Sequence, residues 1–422
     1  MSRNNFKQTE IGLIPEDWEV VRLEEIGKII TGNTPSKRKK EYWENGEIDF
    51  IKPPDFKNSY ITTFSEKISL KAKDKARIVP EKSILVSCIG IIGRVGYTLK
   101  PVAFNQQINA IIPFSDKIDN LFLFFALQTQ VKQIESLKSV TTVPIVNKAK
   151  FSHVKIPFPP LEEQRKIARV LDKIQQAIEL QDRIIEQAKN LKKSLMQKLF
   201  TEGLYGEEQK ETEIGLIPKS WEVVRLGDGE ILKETQYGLS VRGKKEGKYP
   251  ILRMNNLVNG LISINDLQFV DLDEKTFRKF KLEKGDILFN RTNSFELVGK
   301  TSIFHLDGDS VFASYLIRLR LNSEIIDPFF FNFYFNWDMT QLRLKGLASR
   351  GVSQANISAT KLKSFLIPLP PLEEQKQIAH ILSVVDEKIE VEQKRKQVLK
   401  ELFKTMLHKL MSGKIRLKEV EI

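Results

Sequence analysis

An α+β chain built as a tandem repeat is what the sequence predicts: two α+β domains separated by an antiparallel pair of long helices, with pseudo-two-fold internal symmetry. Three observations carry this. The fifteen residues TEIGLIPEDWEVVRL at 9–23 return at 212–226 as TEIGLIPKSWEVVRL, changed only at Glu16/Lys219 and Asp17/Ser220. The stretch IPFPPLEEQRKIARVL from 156 returns as IPLPPLEEQKQIAHIL from 367. After each PPLEEQ an apolar 4-3 spacing continues for about five heptads, the signature of a coiled coil. A fixed-offset repeat has to be recognised before any single element is read, and 422 residues exceed one ordinary core.

Taken in order, residues 1–155 form the first domain, 156–203 the first long helix, 204–366 the second domain, 367–415 the second long helix and 416–422 a tail. Within the domains, ILVSCIGIIGRVGYT from 84 aligns with ILFNRTNSFELVGKT from 287 at the same offset of 203. The Ile-Leu entry, the Val-Gly pair and the closing Thr are kept while the middle differs. IDNLFLFFALQTQVKQIE from 118 matches IDPFFFNFYFNWDMTQLR from 326. Asp119 and Asp327 are expected to cap these helices, with Pro328 at the first helical position.

The first long helix carries its seam at Ile167, Leu171, Ile174, Ile178, Gln181, Ile185, Ala188, Lys192, Leu195 and Leu199. The second carries Ile378, Leu382, Val385, Ile389, Glu392, Lys396, Leu399, Phe403, Met406 and Leu410. Proline pairs open each helix, and Gly203 and Gly413 are expected to stop them. About forty residues make a rod of roughly 60 Å. Two equal stripes most simply bury each other, the polar seam positions selecting register. Such an arrangement holds two globular domains at opposite ends of a fixed spacer. Duplicated surfaces can then dock two copies of one partner, while the diverged interiors do different work.

Composition bounds the function. Hydrophobic content of 41% and aromatic content of 9% fit folded domains. A net charge of +13 points to a polyanionic partner, the alternative being a soluble Lys/Glu-rich surface. A single cysteine, Cys88, excludes an internal disulfide and a cysteine zinc cluster, and the four histidines have no ligand spacing. The polar N-terminus lacks a secretory apolar region, and the apolar runs LFLFFAL and FFFNFYF are too short to span a membrane. A cytoplasmic protein is expected.

Catalytic motifs are near misses. GLSVRGKK at 238 resembles a phosphate loop, but Lys245 stands where a metal-binding hydroxyl is required and a strand follows in place of a helix. IKPPDF at 51 has Lys52 where an amino-methyltransferase motif needs Asn or Asp. Asp286 and Glu296 lack a nuclease cluster around them.

The doubled PPLEEQ helix start, the repeated TEIGLIPxxWEVVRL and the two dissimilar domains resemble the specificity subunit of type I restriction–modification systems, over essentially the whole chain. The resemblance implies two target-recognition domains, each reading half of a bipartite, asymmetric sequence in double-stranded DNA. It implies that the helices set the spacing and anchor two methyltransferase subunits, to which restriction subunits add. No cofactor is expected on this chain; S-adenosylmethionine, ATP and Mg would belong to the partners. The chain would be non-catalytic. The rival expectations are a single-chain restriction and methylation enzyme, or a coiled-coil scaffold without DNA specificity.

Base reading needs side chains with directed hydrogen-bonding groups, and phosphate contacts need cations. In the second domain the candidates are Asn290, Arg291, Thr292, Asn293 and Ser294; then Arg350, Ser353, Gln354 and Asn356; then Tyr237, Arg242, Lys244, Lys245, Arg253, Asn255 and Asn256. In the first domain TGNTPSKRKKEYW supplies Thr34, Ser36, Lys37, Arg38, Lys39, Lys40, Tyr42 and Trp43, a basic run with aromatics or else a solvated charged turn. Arg94 adds a cation. Asn105, Gln106 and Gln107 either read bases or cap a strand. Thr141, Thr142 and Asn147 fall where the Gln354 loop lies in the other copy, and Cys88 falls opposite Arg291.

Overall fold

The computed structural model describes residues 5–56, 59–139, 143–350 and 354–418. The chain divides into two compact units, Met1–Arg183 with Gln393–Ile422, and Ile184–Glu392. Each unit is one α+β domain together with half of each long helix. The folding units therefore cut across the division into domain and helix segments read along the sequence.

In the first unit the two copied motifs meet. The hairpin Phe6–Thr9 with Gly12–Pro15 leads through Trp18 into the strand Glu19–Arg22. That strand pairs antiparallel with Lys155–Phe158, which runs directly into the prolines and the helix Leu161–Glu202. In the second unit Gln209–Thr212 and Gly215–Pro218 form the hairpin, and Glu222–Arg225 pairs with Leu366–Leu369 ahead of the helix Leu372–Met411.

The PLEEQ residues lock this joint. The Trp18 indole N–H donates to Glu163 Oε2 at 3.0 Å, and the Trp221 indole to Glu374 Oε2 at 2.9 Å. The Gln164 amide donates to Pro159 O, and its oxygen accepts from the N–H of Asp119, at 2.8 and 2.9 Å. Gln375 does the same with Pro370 O and the Asp327 N–H, both at 2.8 Å. Asp119 and Asp327 in turn accept from the N–H groups of Phe122 and Phe330, capping the helices Asn120–Thr129 and Pro328–Asn336. Those helices are almost wholly apolar and sit at the centre of each core. A buried Trp, Glu and Gln acting together on three segments explain why both ends of the module stay fixed while its interior varies.

The domain sheets share a central antiparallel trio. In the first unit Gly27–Thr31, Ile108–Pro113 and Ile84–Ser87 lie side by side, extended by Val95–Thr98 and Tyr60–Ile61. In the second, Leu232–Tyr237, Leu316–Leu321 and Ile287–Asn290 do so, extended by Thr301–Ile303, Leu261–Ile262 and Leu257–Val258. Both trios need a glycine just past the first strand. A Cβ on Gly32 would stand 2.1 Å from Asn105 O, and one on Gly238 would stand 2.3 Å from Ala313 O. These are backbone atoms that cannot swing aside.

The long helices run antiparallel within each unit. In the first, Leu410 and Met411 share a core with Ile167 and Leu171, while Lys396 pairs with Asp182 further along. In the second, Leu199 and Phe200 share a core with Ile378 and Leu382, and Lys192 pairs with Asp386 at 2.6 Å. Of the polar seam positions, Gln181 and Glu392 are buried, and Lys192 and Lys396 supply the ion pairs just named. Gly203 and Gly413 follow the helix ends with φ of +68° and +66°, the left-handed stop that glycine makes without strain. What reads as a tail in the sequence is partly integral: Leu417 is buried, and Arg416 reaches Glu163 and Asp17.

Candidate nucleic-acid interface

The two modules differ at the end of the central trio, where the second carries an added three-stranded sheet and the first, among the described residues, a single bridge. In the second unit, Tyr237 ends one strand, Arg291 follows another, and Ser314 and Tyr315 precede the third. Thr292–Asn293, Ala355–Asn356 and Ser349–Arg350 add a small antiparallel sheet there. The Arg291 guanidinium lies 4.8 Å from the centre of the Tyr237 ring. Its Nη1 donates to Ser314 O at 3.3 Å, and its Nη2 lies 3.5 Å from Asn356 Oδ1. Asn356 donates to the Thr292 hydroxyl at 2.7 Å, and the Tyr237 hydroxyl accepts from the N–H of Ala359 at 2.9 Å. Stacking and two polar contacts thus hold a half-buried cationic fork, and two more hydrogen bonds fix its supports Asn356 and Tyr237.

Of the other candidates here, Gln354, Asn255, Arg242 and Lys245 are exposed, and Lys244 is exposed with Asp271 at 3.8 Å. Asn293 donates to the Met254 sulfur at 3.2 Å, and its oxygen accepts from the Ser294 N–H. Arg350 enters the small sheet through its backbone, opposite Ala355. Ser353 lies outside the described residues, as do Thr141 and Thr142.

Several expectations are corrected. Asn290 is 1% exposed and donates to Leu297 O, bracing the loop after its strand. Arg253 is committed to Asp266, through the carbonyl at 2.8 Å and the carboxylate at 3.0 Å. Asn256 is fully buried and accepts from the Arg253 N–H. Asn256 and Asn290 are too deeply buried to meet a base edge, and Arg253 reaches one only with the part of its fork that Asp266 does not hold.

In the first unit the basic run is exposed at Lys37, Arg38, Lys39 and Lys40. Lys37 lies 3.4 Å from the centre of the Trp43 ring and pairs with Glu66 at 2.6 Å. Glu66 also takes Lys52. Burial works against the Glu66 charge, but the two ammonium groups outweigh it and hold the carboxyl below its usual range. One of the four cations is therefore neutralised within the domain. The Trp43 indole donates to Ser36 O, and Lys39 donates to the Tyr42 hydroxyl. Tyr42 itself belongs to a small core with Phe50, Ile68, Ala72 and Ala103, and is corrected from a contact residue to a packing one.

The Asn-Gln-Gln trio splits. Asn105 is buried, donating to Gln107 Oε1 and accepting from the Gln107 N–H, so it braces a turn and does not read. Gln106 is exposed and accepts from the Thr34 hydroxyl at 2.7 Å. Arg94 is exposed. Asn147 caps the short helix Lys148–Ser152, as Ser358 caps Ala359–Lys363, and so leaves the reading set.

Backbone hydrogen bonds fix the correspondence between the modules. The N–H of Val146 donates to Cys88 O and that of Ile357 to Arg291 O, each at 2.9 Å. Ile89 faces Ile145 where Thr292 faces Asn356. Cys88 N–H meets Gln107 O where Arg291 N–H meets Tyr315 O. Position for position, Val143 is therefore the counterpart of Gln354. The thiol of Cys88 is buried beside the Asn109 amide, and burial pushes its pKa up to about 12, leaving it an unreactive neutral group. Among the described residues no group of three or more His, Cys, Asp or Glu is arranged to hold a metal ion, and no helix is long and apolar enough to cross a membrane.

Comparison with known proteins agrees with this doubled frame. Residues 15–190 and again 218–401 match the family described as "Type I restriction modification DNA specificity domain". The type I restriction enzyme MjaVIII specificity subunit of Methanocaldococcus jannaschii is 30% identical over 99% of this chain and 97% of its own. The putative MjaX specificity subunit of the same organism is 32% identical over 98% and 97%. Among solved structures, the S subunit of a type I restriction–modification system from M. genitalium superposes with a TM-score of 0.63, covering 97% of each chain at 19% identity, a likeness of fold. By its sequence and its repeated architecture, the chain belongs to the type I restriction–modification specificity subunit family.

Proposed function

We propose that this chain is the DNA-reading, non-catalytic subunit of a type I restriction–modification complex in the cytoplasm, each α+β domain reading one half of a bipartite duplex target. The observation that carries the reading is one hydrogen-bonded frame present twice with different side chains at its exposed end. Two readers of unlike half-sites require that, and duplicated helix surfaces suit two copies of one modification subunit. Restriction subunits complete the assembly. S-adenosylmethionine, ATP and Mg act on those partners, and this chain's residues supply phosphate contacts, base contacts and docking.

Co-expression with the companion modification subunits, followed by methylome sequencing, is expected to reveal a motif in two unlike parts separated by a gap of fixed length. A single undivided motif, or methylation by the purified chain alone, would overturn the proposal. The long helices are proposed to set the gap. Adding one heptad to both lengthens each by about 10 Å, and the methylated motif is expected to widen by about three base pairs at roughly 3.4 Å per step. An unchanged gap would remove the helices from that role.

A further inference from the structure

The matched frames carry opposite chemistry at their exposed ends. In the second unit the positions are Thr292, Gln354 and Asn356, all polar. The same hydrogen bonds assign Ile89, Val143 and Ile145 to those places in the first unit, where Ile91 follows in a loop closed by Ser87 N–H on Arg94 O, three residues shorter than the loop closed by Asn290 N–H on Lys300 O. Ile91 is 55% exposed, Val143 49% and Ile145 37%. Core packing does not explain apolar side chains that stand this far out of the core.

The patch continues into the polar edge of the same sheet end. The Cys88 N–H bonds to Gln107 O, next to Gln106 with its Thr34 partner, and the loop carrying Ile91 closes where the N–H of Ser87 bonds to the exposed Arg94 through its carbonyl. A protein partner needs far more surface: a standard interface covers about 800 Å² per side, beyond what three side chains offer. A single methyl group suits the patch. In the major groove only thymine displays one, at C5, and apolar side chains are its natural contacts.

Building on the reading of the chain as a DNA reader, we infer that the first domain recognises thymine through its 5-methyl group, with Ile91 and Ile145 forming the contact surface. The second domain uses hydrogen bonds from Arg291 and Asn356 at the equivalent place. The two halves of the target are thus read by different physical forces on one scaffold.

Deoxyuridine tests this directly, because it lacks the methyl and keeps every hydrogen-bonding group of thymidine. The chain assembled with its modification subunits is titrated with duplexes carrying the methylome-derived target, with deoxyuridine in one half at a time. The half read by the first domain is the one whose discrimination survives Arg291→Ala. Deoxyuridine there is expected to weaken binding about fourfold for each contacted thymine, the effect of burying one methyl-sized group. In the other half it is expected to change nothing. The Ile91→Ser, Ile145→Ser double variant is expected to lose the preference for thymidine while discriminating the second half as before.

A first half-site without thymine, equal binding of both duplexes, or a double variant that keeps the preference would each overturn the inference. So would a double variant whose only defect is loss of the modification subunits, which would make the patch a protein contact. In all of these outcomes a bipartite target is still bound. Absence of any bipartite target would instead remove the functional proposal beneath it.

Discussion

Arg291→Ala is expected to erase discrimination at one half-site and leave the other intact. The guanidinium is fixed from beneath by the Tyr237 ring and from the sides by Ser314 O and Asn356. A fork held in place keeps its donors directed without losing side-chain entropy at the moment of binding, and bidentate contact with guanine is the pairing such a fork favours. Loss of one good bidentate contact costs roughly 1–3 kcal/mol, a factor of about ten to a hundred at that base pair. Arg291→Lys retains the charge without the fork and is expected to recover general affinity but not base preference. Tyr237→Ala removes the platform and should weaken the same base preference more mildly, while Tyr237→Phe keeps the ring and loses only the hydroxyl that accepts from Ala359. The measurement is a set of affinities across all four bases at each position, repeated at two salt concentrations. A base reader changes the ranking and leaves the salt dependence alone. A uniform loss with a shallower salt slope would reassign Arg291 to a phosphate.

How the sequence anticipated these features follows from the range of the forces involved. The caps at Asp119 and Asp327 and the stops at Gly203 and Gly413 are local, decided by neighbours a few residues away, and were readable. The seams were readable because a 3.5-residue period survives over a long helix. The roles of Glu163, Gln164, Glu374 and Gln375 were not, because their partners lie across the fold. The motif was visible as a repetition and only the structure shows it to be a joint.

The site residues divide on similar grounds. Arg38, Lys40, Gln106, Arg242, Lys245 and Gln354 are exposed, which a duplex contact requires and which any solvated polar residue also satisfies. Tyr42, Asn105, Asn256 and Asn290 were chosen by residue type, and type alone does not say which side of a strand end faces inward. The error in the other direction is more instructive. Ile89, Ile91 and Ile145 were passed over because a search for hydrogen-bonding groups ignores apolar ones. The signal was available at the offset of 203 before the loop and 211 after it, which places Ile145 opposite Asn356. Only the backbone pairing removes the ambiguity of where the eight-residue length difference falls.

Glu163→Ala is expected to be among the most destabilising single changes in the chain, and more so than Glu374→Ala at the repeated position. Both carboxylates are buried and both accept from a tryptophan indole. Glu374 has the backbone N–H of Leu204 as its other partner, at 2.8 Å, so its loss leaves neutral donors unsatisfied at about 1–3 kcal/mol each. Glu163 accepts a backbone N–H as well, from Leu417 at 3.3 Å, and in addition accepts from Arg416 Nε at 2.7 Å and Nη2 at 2.8 Å. Removing it leaves a mostly buried guanidinium with only the half-exposed Asp17 carboxylate as its counter-charge, and breaking the buried half of such a cluster costs up to roughly 3–5 kcal/mol. Arg416→Ala added to Glu163→Ala is therefore expected to restore part of the loss, since no buried charge is then left over. Peptide-resolved hydrogen exchange would read the effect, with faster exchange in the first unit for Glu163→Ala and in the second for Glu374→Ala; additive losses in the double variant would refute the stranded-charge account. Asp17 gives the arrangement a pH dependence. Its hydrogen bond to Arg416, outweighing desolvation and helped by Lys418, holds its carboxyl well below the ordinary range. A lowered folded-state pKa means the stabilisation is complete above about pH 4, the ordinary aspartate value, and is lost as the pH falls further. Acid should therefore loosen the first unit in the native chain more than in Arg416→Ala. Ser220 occupies the matching place in the other copy, where no arginine follows the helix to meet it. One of only two changes in a fifteen-residue repeat is thus accounted for by Arg416, a cation that follows the second long helix and meets Asp17 near the start of the chain.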